Sequence, residues 1–370
     1  MTDSIYFAPL LPWQQSLWDQ LTERLLMPPH HLPHALLAAG MSGMGKRAFV
    51  WRFVAWLLCH QQASHRQGAC GHCESCQWLR SGTHPSLQVL PLASLPLAAE
   101  PDNAQEDTKS NSKKSNSSNK SSKASSKAQV TIKVDDIRAL QPFIYQGGQG
   151  VRICVLDYAE QMTIAAANAL LKTLEEPQAQ VHLFLLSDTP SKLLPTIKSR
   201  VQQLPLQHIE PSVSADYVQQ ALGSTINREA VSIDEIQQLL QLANGAPLAA
   251  IALAQADWYS KRALWLTTWQ ALRSGKRSSL AASDYWQQQL NLADFIKLTE
   301  LMLLDIRRIN MGLASIQNDT ELPKALAQHQ PTEMSMQDIV DSLQHIKISL
   351  QQNVQEKLAY DKLMQALAEL

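Results

Sequence analysis

No run of about 18 uncharged apolar residues occurs anywhere in the chain, so the pattern offers no membrane-spanning helix. The first residues, Met-Thr-Asp-Ser-Ile-Tyr, have no basic stretch ahead of an apolar one. No secretory leader is expected, and the protein is predicted to be soluble and cytoplasmic. Neither sign of charge is in surplus, with 32 Lys and Arg against 33 Asp and Glu. A net charge of −1 argues against a globally basic nucleic-acid binder and leaves room only for local patches. Cysteine is scarce, five in 370 residues, and four of the five fall between Cys59 and Cys76. In a reducing compartment such clustering points to a metal rather than disulfides. It leaves Cys154, inside an apolar strand pattern, as a small core residue. The remaining composition, 45% hydrophobic, is enough for two or three domains with ordinary cores.

The stretch that organises the chain is residues 40–47, Gly-Met-Ser-Gly-Met-Gly-Lys-Arg. Apolar residues 35–39 before it read as a buried strand, and Phe49, Phe53 and Leu57 after it recur at helical spacing. Strand, glycine loop and helix in that order are the layout of a phosphate cradle. Gly40, Gly43 and Gly45 let backbone amides turn inward, the helix adds its positive end, and Lys46 supplies a point charge. A glycine-rich turn of no phosphate ancestry would not explain strand, spacing and helix together. One part is missing. The residue after the lysine should carry a hydroxyl for Mg²⁺, and here it is Arg47, which cannot ligate a cation.

A second part is missing further on. The apolar stretch 151–156 ends in Asp157, as a central parallel strand delivers a carboxylate to the phosphate site. The next residue should be a glutamate able to polarise the attacking water. It is Tyr158, a poor base at neutral pH, and Glu160 is out of position for the task. The two departures read as independent, and together they make an ordinary ATPase cycle doubtful. Because Lys46 and Asp157 survive, weak nucleotide or anion binding without turnover stays open.

Cys59, Cys70, Cys73 and Cys76 include two overlapping C-x2-C pairs, which bend the chain around one tetrahedral ion. A structural Zn²⁺ is the reading. A swap with His60, His65 or His72, an iron–sulfur cluster and unligated thiols are its competitors, the cluster disfavoured because no further cysteine closely follows Cys76. Four protein ligands leave no open position for substrate, so such a metal staples rather than catalyses. From about 96 to 128 the chain becomes rich in Lys, Ser and Asn, and 109–127 contains only those residues and Ala124. This composition predicts a disordered, solvated insertion; its six lysines could also touch nucleic acid.

Helices and strands resume beyond it. Thr163 is placed to cap a helix over 164–176, residues 181–186 form another buried strand, and Ser187, Asp188 and Thr189 stand at its carboxyl end, where open α/β sheets present ligands. Arg200 ends a short helix, where an arginine ordinarily caps carbonyls or pairs with a surface acid. Past 207–214, Ser232 and Glu235 form a capping box ahead of a stripe of Ile233, Ile236, Leu239 and Leu240. Beyond Trp258 only helical stripes are found, among them Phe295, Leu298, Met302 and Ile306, then Ile339, Leu343, Ile346 and Leu350.

The ordered combination of these features resembles the delta prime subunits of bacterial DNA polymerase III clamp loaders. It consists of the altered loop to Lys46, the four cysteines, Thr83-His84-Pro85, Val134-Asp135 with Ile137-Arg138, the run 167–177 (Ala-Asn-Ala-Leu-Leu-Lys-Thr-Leu-Glu-Glu-Pro) and Ser199-Arg200. The run 167–177 is shared with the catalytic gamma/tau subunits. Arg47 and Tyr158 separate the chain from them, and residues 245–248 offer no nucleotide-contacting arginine.

The resemblance implies an α/β fold: a RecA-like AAA+ domain with a parallel sheet over 1–207, carrying the zinc module at about 59–76. A helical lid at 208–255 and an all-α collar at 256–370 follow. It implies that Arg200, with Ser199, acts as an arginine finger in a neighbour's ATP site. Gly40, Gly43, Gly45, Lys46 and Asp157 would be a degenerate nucleotide site, and Cys59, Cys70, Cys73 and Cys76 the zinc ligands. Implied partners are the gamma/tau and delta subunits, with the sliding clamp and primed DNA inside the complex, and no membrane. The competing expectations are an active gamma/tau-like ATPase and a zinc-dependent DNA-binding protein.

Overall fold

A computed structural model describes residues 5–26, 32–95, 131–145, 150–225, 231–317, 319–328, 330–350 and 355–370. The insertion expected at 96–128 lies outside the described residues. By internal contacts the chain divides into two compact units, Met1–Val213 and Ser214–Leu370.

The first unit runs α1 (Gln15–Leu26), β1 (Ala35–Ala39), α2 (Lys46–Leu58), α3 (Glu74–Ser81), β2 (Leu87–Leu90), α4 (Val134–Tyr145), β3 (Arg152–Leu156), α5 (Ile164–Glu175), β4 (Val181–Ser187), α6 (Pro195–Lys198) and β5 (Gln202–Gln203). The five strands form one sheet in the order β2-β3-β4-β1-β5, every pairing parallel. Parallel neighbours need crossovers, and helices supply them, burying both faces of the sheet. The alternation of side chains divides each central strand between two cores. Leu36 and Ala38 of β1, Ile153 and Val155 of β3, and Phe184 and Leu186 of β4 face the aromatic residues of α1 and α2. Leu37, Cys154, Leu156, Leu183 and Leu185 face Ile137, Leu140, Ala166 and Leu170 of α4 and α5. Cys154 is thus a core residue, as expected, and burial pushes its thiol up to about 12. This is the RecA-like arrangement the sequence resemblance implies.

Three local expectations need correcting. Trp13, Leu17, Leu21 and Leu25, at spacings of four, predict an amphipathic helix ahead of the first strand. Leu17 and Leu21 are buried in α1, but its deepest side chain is Trp18, which is fully buried and packs edge-on against Phe49 and Phe53 of α2. The sequence after Arg200 predicts a short last strand reaching Leu206; that strand contains only Gln202 and Gln203. Ile233, assigned to an apolar stripe, is 69% exposed; it sits in the first turn just after the cap.

The described residues of the second unit form only helices: α7 (Pro211–Thr225), which starts at the boundary, then α8 (Ile233–Leu242), α9 (Pro247–Gln255), α10 (Asp257–Ser260), α11 (Arg262–Arg273), α12 (Ser279–Gln289), α13 (Leu292–Asn310), α14 (Leu322–Gln328), α15 (Glu333–Leu350) and α16 (Glu356–Glu369). Val218, Leu222, Ile236, Leu239, Ala250 and Tyr259 make a small core for α7 to α10. A larger one, with Trp265, Trp286, Phe295, Met302, Ile339, Leu343 and Leu363, joins α11 to α16. Among the described residues, no helix is long and apolar enough to cross a membrane.

Candidate functional site

The loop between β1 and α2 has the backbone its glycines predict. Gly40, Gly43 and Gly45 take φ of 145°, 89° and 80°, values an L side chain rarely adopts. The loop is braced through its carbonyls: the Trp13 indole N–H donates to Met44 O at 3.1 Å and the Gln14 amide donates to Gly45 O at 3.0 Å. A Cβ on Gly45 would fall 2.3 Å from a Leu11 methyl, so a side chain there would have to displace Leu11 in addition to adopting an unfavourable φ. The contribution of residues 11–14 is not visible in the sequence, because nothing in a Leu-Pro-Trp-Gln segment signals contact with a loop thirty residues away.

The side chains at the loop are engaged with one another. Lys46, 2% exposed, donates to its own loop at Met41 O (3.1 Å) and forms an ion pair with Asp188, just past the end of β4. Arg47 reaches both acids. Its Nε lies 3.0 and 3.1 Å from the Asp157 carboxylate oxygens and its Nη1 lies 2.9 and 2.8 Å from those of Asp188. The Arg47 guanidinium also lies 4.4 Å from the centre of the Tyr158 ring. The two departures read from the sequence as independent are therefore in contact: the arginine that replaces the hydroxyl stacks on the tyrosine that replaces the glutamate. Tyr158 itself is left-handed, with φ of 53°, and its amide donates to Asp157 Oδ1 at 2.9 Å. Glu160 accepts from the Asp188 amide at 3.2 Å, a bracing role consistent with its being out of place as a base.

Burial lowers the pKa of Lys46 below the usual lysine range, opposed by its bond to Asp188. Burial would raise that of Asp188, but Lys46 and Arg47 outweigh it and hold the carboxyl below its ordinary value. Burial likewise works against Arg47, and Asp157 and Asp188 more than restore its charge. Asp157, the carboxylate expected at the phosphate site, is 3% exposed and bound by Arg47.

Arg200 lies apart from this network. It follows α6 and is held on the surface, Nη2 at 2.7 Å from Glu175 Oε1 and Nη1 donating to Thr196 O at 3.1 Å and to Ser199 Oγ at 3.3 Å. Within the single chain it thus makes the contacts of an ordinary surface arginine. Glu175 ends α5, whose start is capped as expected by Thr163, accepting from the Ala166 amide at 3.2 Å.

The four cysteines converge. Sγ atoms of Cys59 and Cys73, and of Cys70 and Cys76, lie 3.9 Å apart, and all four fall within 4.8 Å of one another. A tetrahedral ion with bonds of about 2.3 Å to sulfur needs sulfurs about 3.8 Å apart, so the set fits Zn²⁺. Amides of Gln61 and Cys70 approach Cys59 Sγ, and that of Cys73 approaches Cys70 Sγ, each at 3.4 Å, as donors to thiolates would. The neighbouring histidines do not enter this set. His84 ties the module to the sheet: Nδ1 accepts from the Ser86 amide at 3.1 Å, which fixes the proton on Nε2 facing Ser75 Oγ at 2.9 Å, and Ser75 donates to Leu58 O at 2.6 Å. Burial drops the His84 pKa to about 4, so the neutral tautomer holds.

A family model described as "DNA polymerase III, delta subunit" matches residues 13–210. The DNA polymerase III subunit delta' of Pseudomonas aeruginosa is 37% identical over 245 residues, which cover 66% of this chain and 61% of that one. The alignment thus spans less than two thirds of that relative. The subunit delta' of Escherichia coli is 29% identical over 345 residues, 92% of this chain and 89% of that one. A DNA polymerase III subunit gamma/tau, from Mycobacterium bovis, is 27% identical over 204 residues, 55% of this chain and 28% of its own length.

Proposed function

The chain belongs to the DNA polymerase III delta' family, and from that membership we propose that it serves a clamp loader as a subunit that does not hydrolyse ATP. In this reading it assembles with gamma/tau and delta subunits and helps place the sliding clamp on primed DNA. The domain bounds 1–207, 208–255 and 256–370 go with the same reading, as does a structural Zn²⁺ on Cys59, Cys70, Cys73 and Cys76. When bound, that ion supplies cross-linking and no chemistry of substrate.

One observation carries the absence of hydrolysis. Catalysis of phosphoryl transfer at a P-loop needs a hydroxyl and an acid free to hold Mg²⁺ and a residue to position water. Here the guanidinium of Arg47 stands after the loop lysine and binds Asp157, and Tyr158 stacks on it. Arg200, by contrast, stands at the surface, held by Glu175 and local oxygens. We assign it to a neighbouring subunit's ATP site, where it would neutralise charge developing on the γ-phosphate while Ser199 positions it. Exchanging a surface ion pair for a phosphate costs little. Phosphate release by the purified chain, measured beside that of the reconstituted complex with DNA, tests the reading. Turnover is expected only in the complex, and turnover by the chain alone would favour the gamma/tau-like alternative.

A further inference from the structure

The acid past the end of β4 stands between the two cations of the glycine loop. The loop retains the backbone of an anion cradle, with three left-handed glycines leading into the thirteen-residue helix α2. Its braces are bonded to carbonyl oxygens, those of Met41, Met44 and Gly45. Its lysine is intact. What differs is where the lysine's charge goes: Lys46 is ion-paired with Asp188, and the same carboxylate takes two hydrogen bonds from Arg47. At the loop, two cations face three carboxylates, Asp157, Glu160 and Asp188, so a polyphosphate meets no surplus positive charge. A single anionic oxygen pair on both cations is also what a terminal phosphate would offer them.

We propose that Asp188 is a built-in substitute for phosphate: its carboxylate occupies the charge-binding position between Lys46 and Arg47, and this contact, rather than the shape of the loop, excludes nucleotide phosphates. The proposal deepens the reading of the chain as a subunit without ATPase activity and rests on it. Arg47 and Tyr158 account for the missing turnover, and Asp188 accounts for missing affinity. Removing Asp188 leaves Arg47 paired with Asp157 through Nε and Nη2, opens its Nη1 to an incoming anion, and frees Lys46, whose remaining acceptor in the loop is the Met41 carbonyl. A polyphosphate would then replace the lost carboxylate in kind.

Titration calorimetry on the full chain, with MgATP and separately with inorganic tripolyphosphate, tests this. The wild-type chain is expected to bind neither at millimolar concentration, and Asp188→Ala to bind both at least about tenfold more tightly, since each tenfold is a small part of a close charge–charge contact. Binding of tripolyphosphate identifies the phosphate chain as the recognised chemistry. Adding Lys46→Ala to Asp188→Ala should abolish the gain. Asp188→Asn, which keeps shape and loses charge, carries the same expectation should the alanine variant fail to fold. Affinity unchanged in the folded variants, or a gain that survives loss of Lys46, would overturn the role of Asp188 and leave the non-hydrolysing reading standing. Phosphate release by the wild-type chain would instead overturn that reading itself.

Discussion

A guanidinium at position 47 does more than omit a hydroxyl, because a half-buried cation is costly unless it is neutralised where it stands. Asp157 and Asp188 do this, so the charged residues around the loop hold one another. Their pH dependence follows from linkage. The folded carboxyl of Asp188 is held below its unfolded value, so the unfolded state binds the extra proton between the two values and stability rises with pH there. The contribution is complete above the unfolded pKa of about 4 and is lost as pH falls through the folded one. Thermal melts should therefore show midpoints falling below about pH 4, and Asp188→Asn should flatten part of that fall. An unchanged slope in the variant would separate Asp188 from acid lability. Arg200 is the opposite case, a half-exposed arginine in a surface pair worth about 0–1 kcal/mol. Arg200→Ala should leave the melting midpoint nearly unmoved while cutting ATP hydrolysis by the reconstituted complex by about 10³-fold or more. Glu175→Ala should leave that hydrolysis intact or raise it, since it only releases the arginine. The sequence showed Lys46, Asp157 and the missing partners of each, because these are read from spacing to a glycine loop. It did not show Asp188 as the counter-ion of Lys46, since an acid after a strand has no signature of the cation it will meet 142 positions away.

At the scale of elements, the parts set by local pattern were legible and the parts set by packing were not. Apolar runs at 35–39 and 181–186 gave β1 and β4, and the overlapping C-x2-C pairs gave the convergence of four thiols. Trp18 was missed because it falls between positions spaced by four, while the bulk it meets comes from α2. The short β5 was over-extended because its edge position gives it pairing on one side only, to Leu36 and Leu37. His84 was noted only as part of a motif, yet its proton placement links Leu58, Ser75 and Ser86 across the module's base. Cys73→Ser should release the metal, read by elemental analysis or a zinc dye, and increase proteolysis within 59–76, with little change in ATP turnover of the complex. Turnover lost with the zinc gone but α2 and the sheet intact would assign the module a direct part in function, contrary to a closed structural site.

On the scale of the second unit as a whole, two hydrophobic cores must be kept in register by something other than apolar contact alone, because hydrophobic burial is non-directional. A polar cluster supplies direction. Asp319 accepts from Gln238 of α8 at 2.7 Å and from both terminal nitrogens of Arg262 of α11 at 3.0 and 2.6 Å. Gln238 also donates to the Tyr259 hydroxyl at 3.2 Å, and the Arg262 guanidinium lies 3.7 Å from the centre of that ring. Tyr259 belongs to the small core, while Arg262 begins the helix that enters the large one, so one carboxylate joins both. The Asp319 side chain is half exposed and that of Arg262 is only 10% exposed, so losing the acid leaves the arginine as the uncompensated partner. Asp319→Ala should cost about 2 kcal/mol, the lower range for charge-assisted bonds because water can reach the site. The loss should appear as faster amide exchange in α8 to α11, with exchange in the sheet of the first unit and the metal content unchanged. Asp319→Asn should restore part of the stability by keeping an oxygen toward Arg262. If the alanine variant exchanges uniformly faster across both units, or not at all, the cluster does not hold the two helical cores in register, and their alignment would rest on packing around Tyr259 alone.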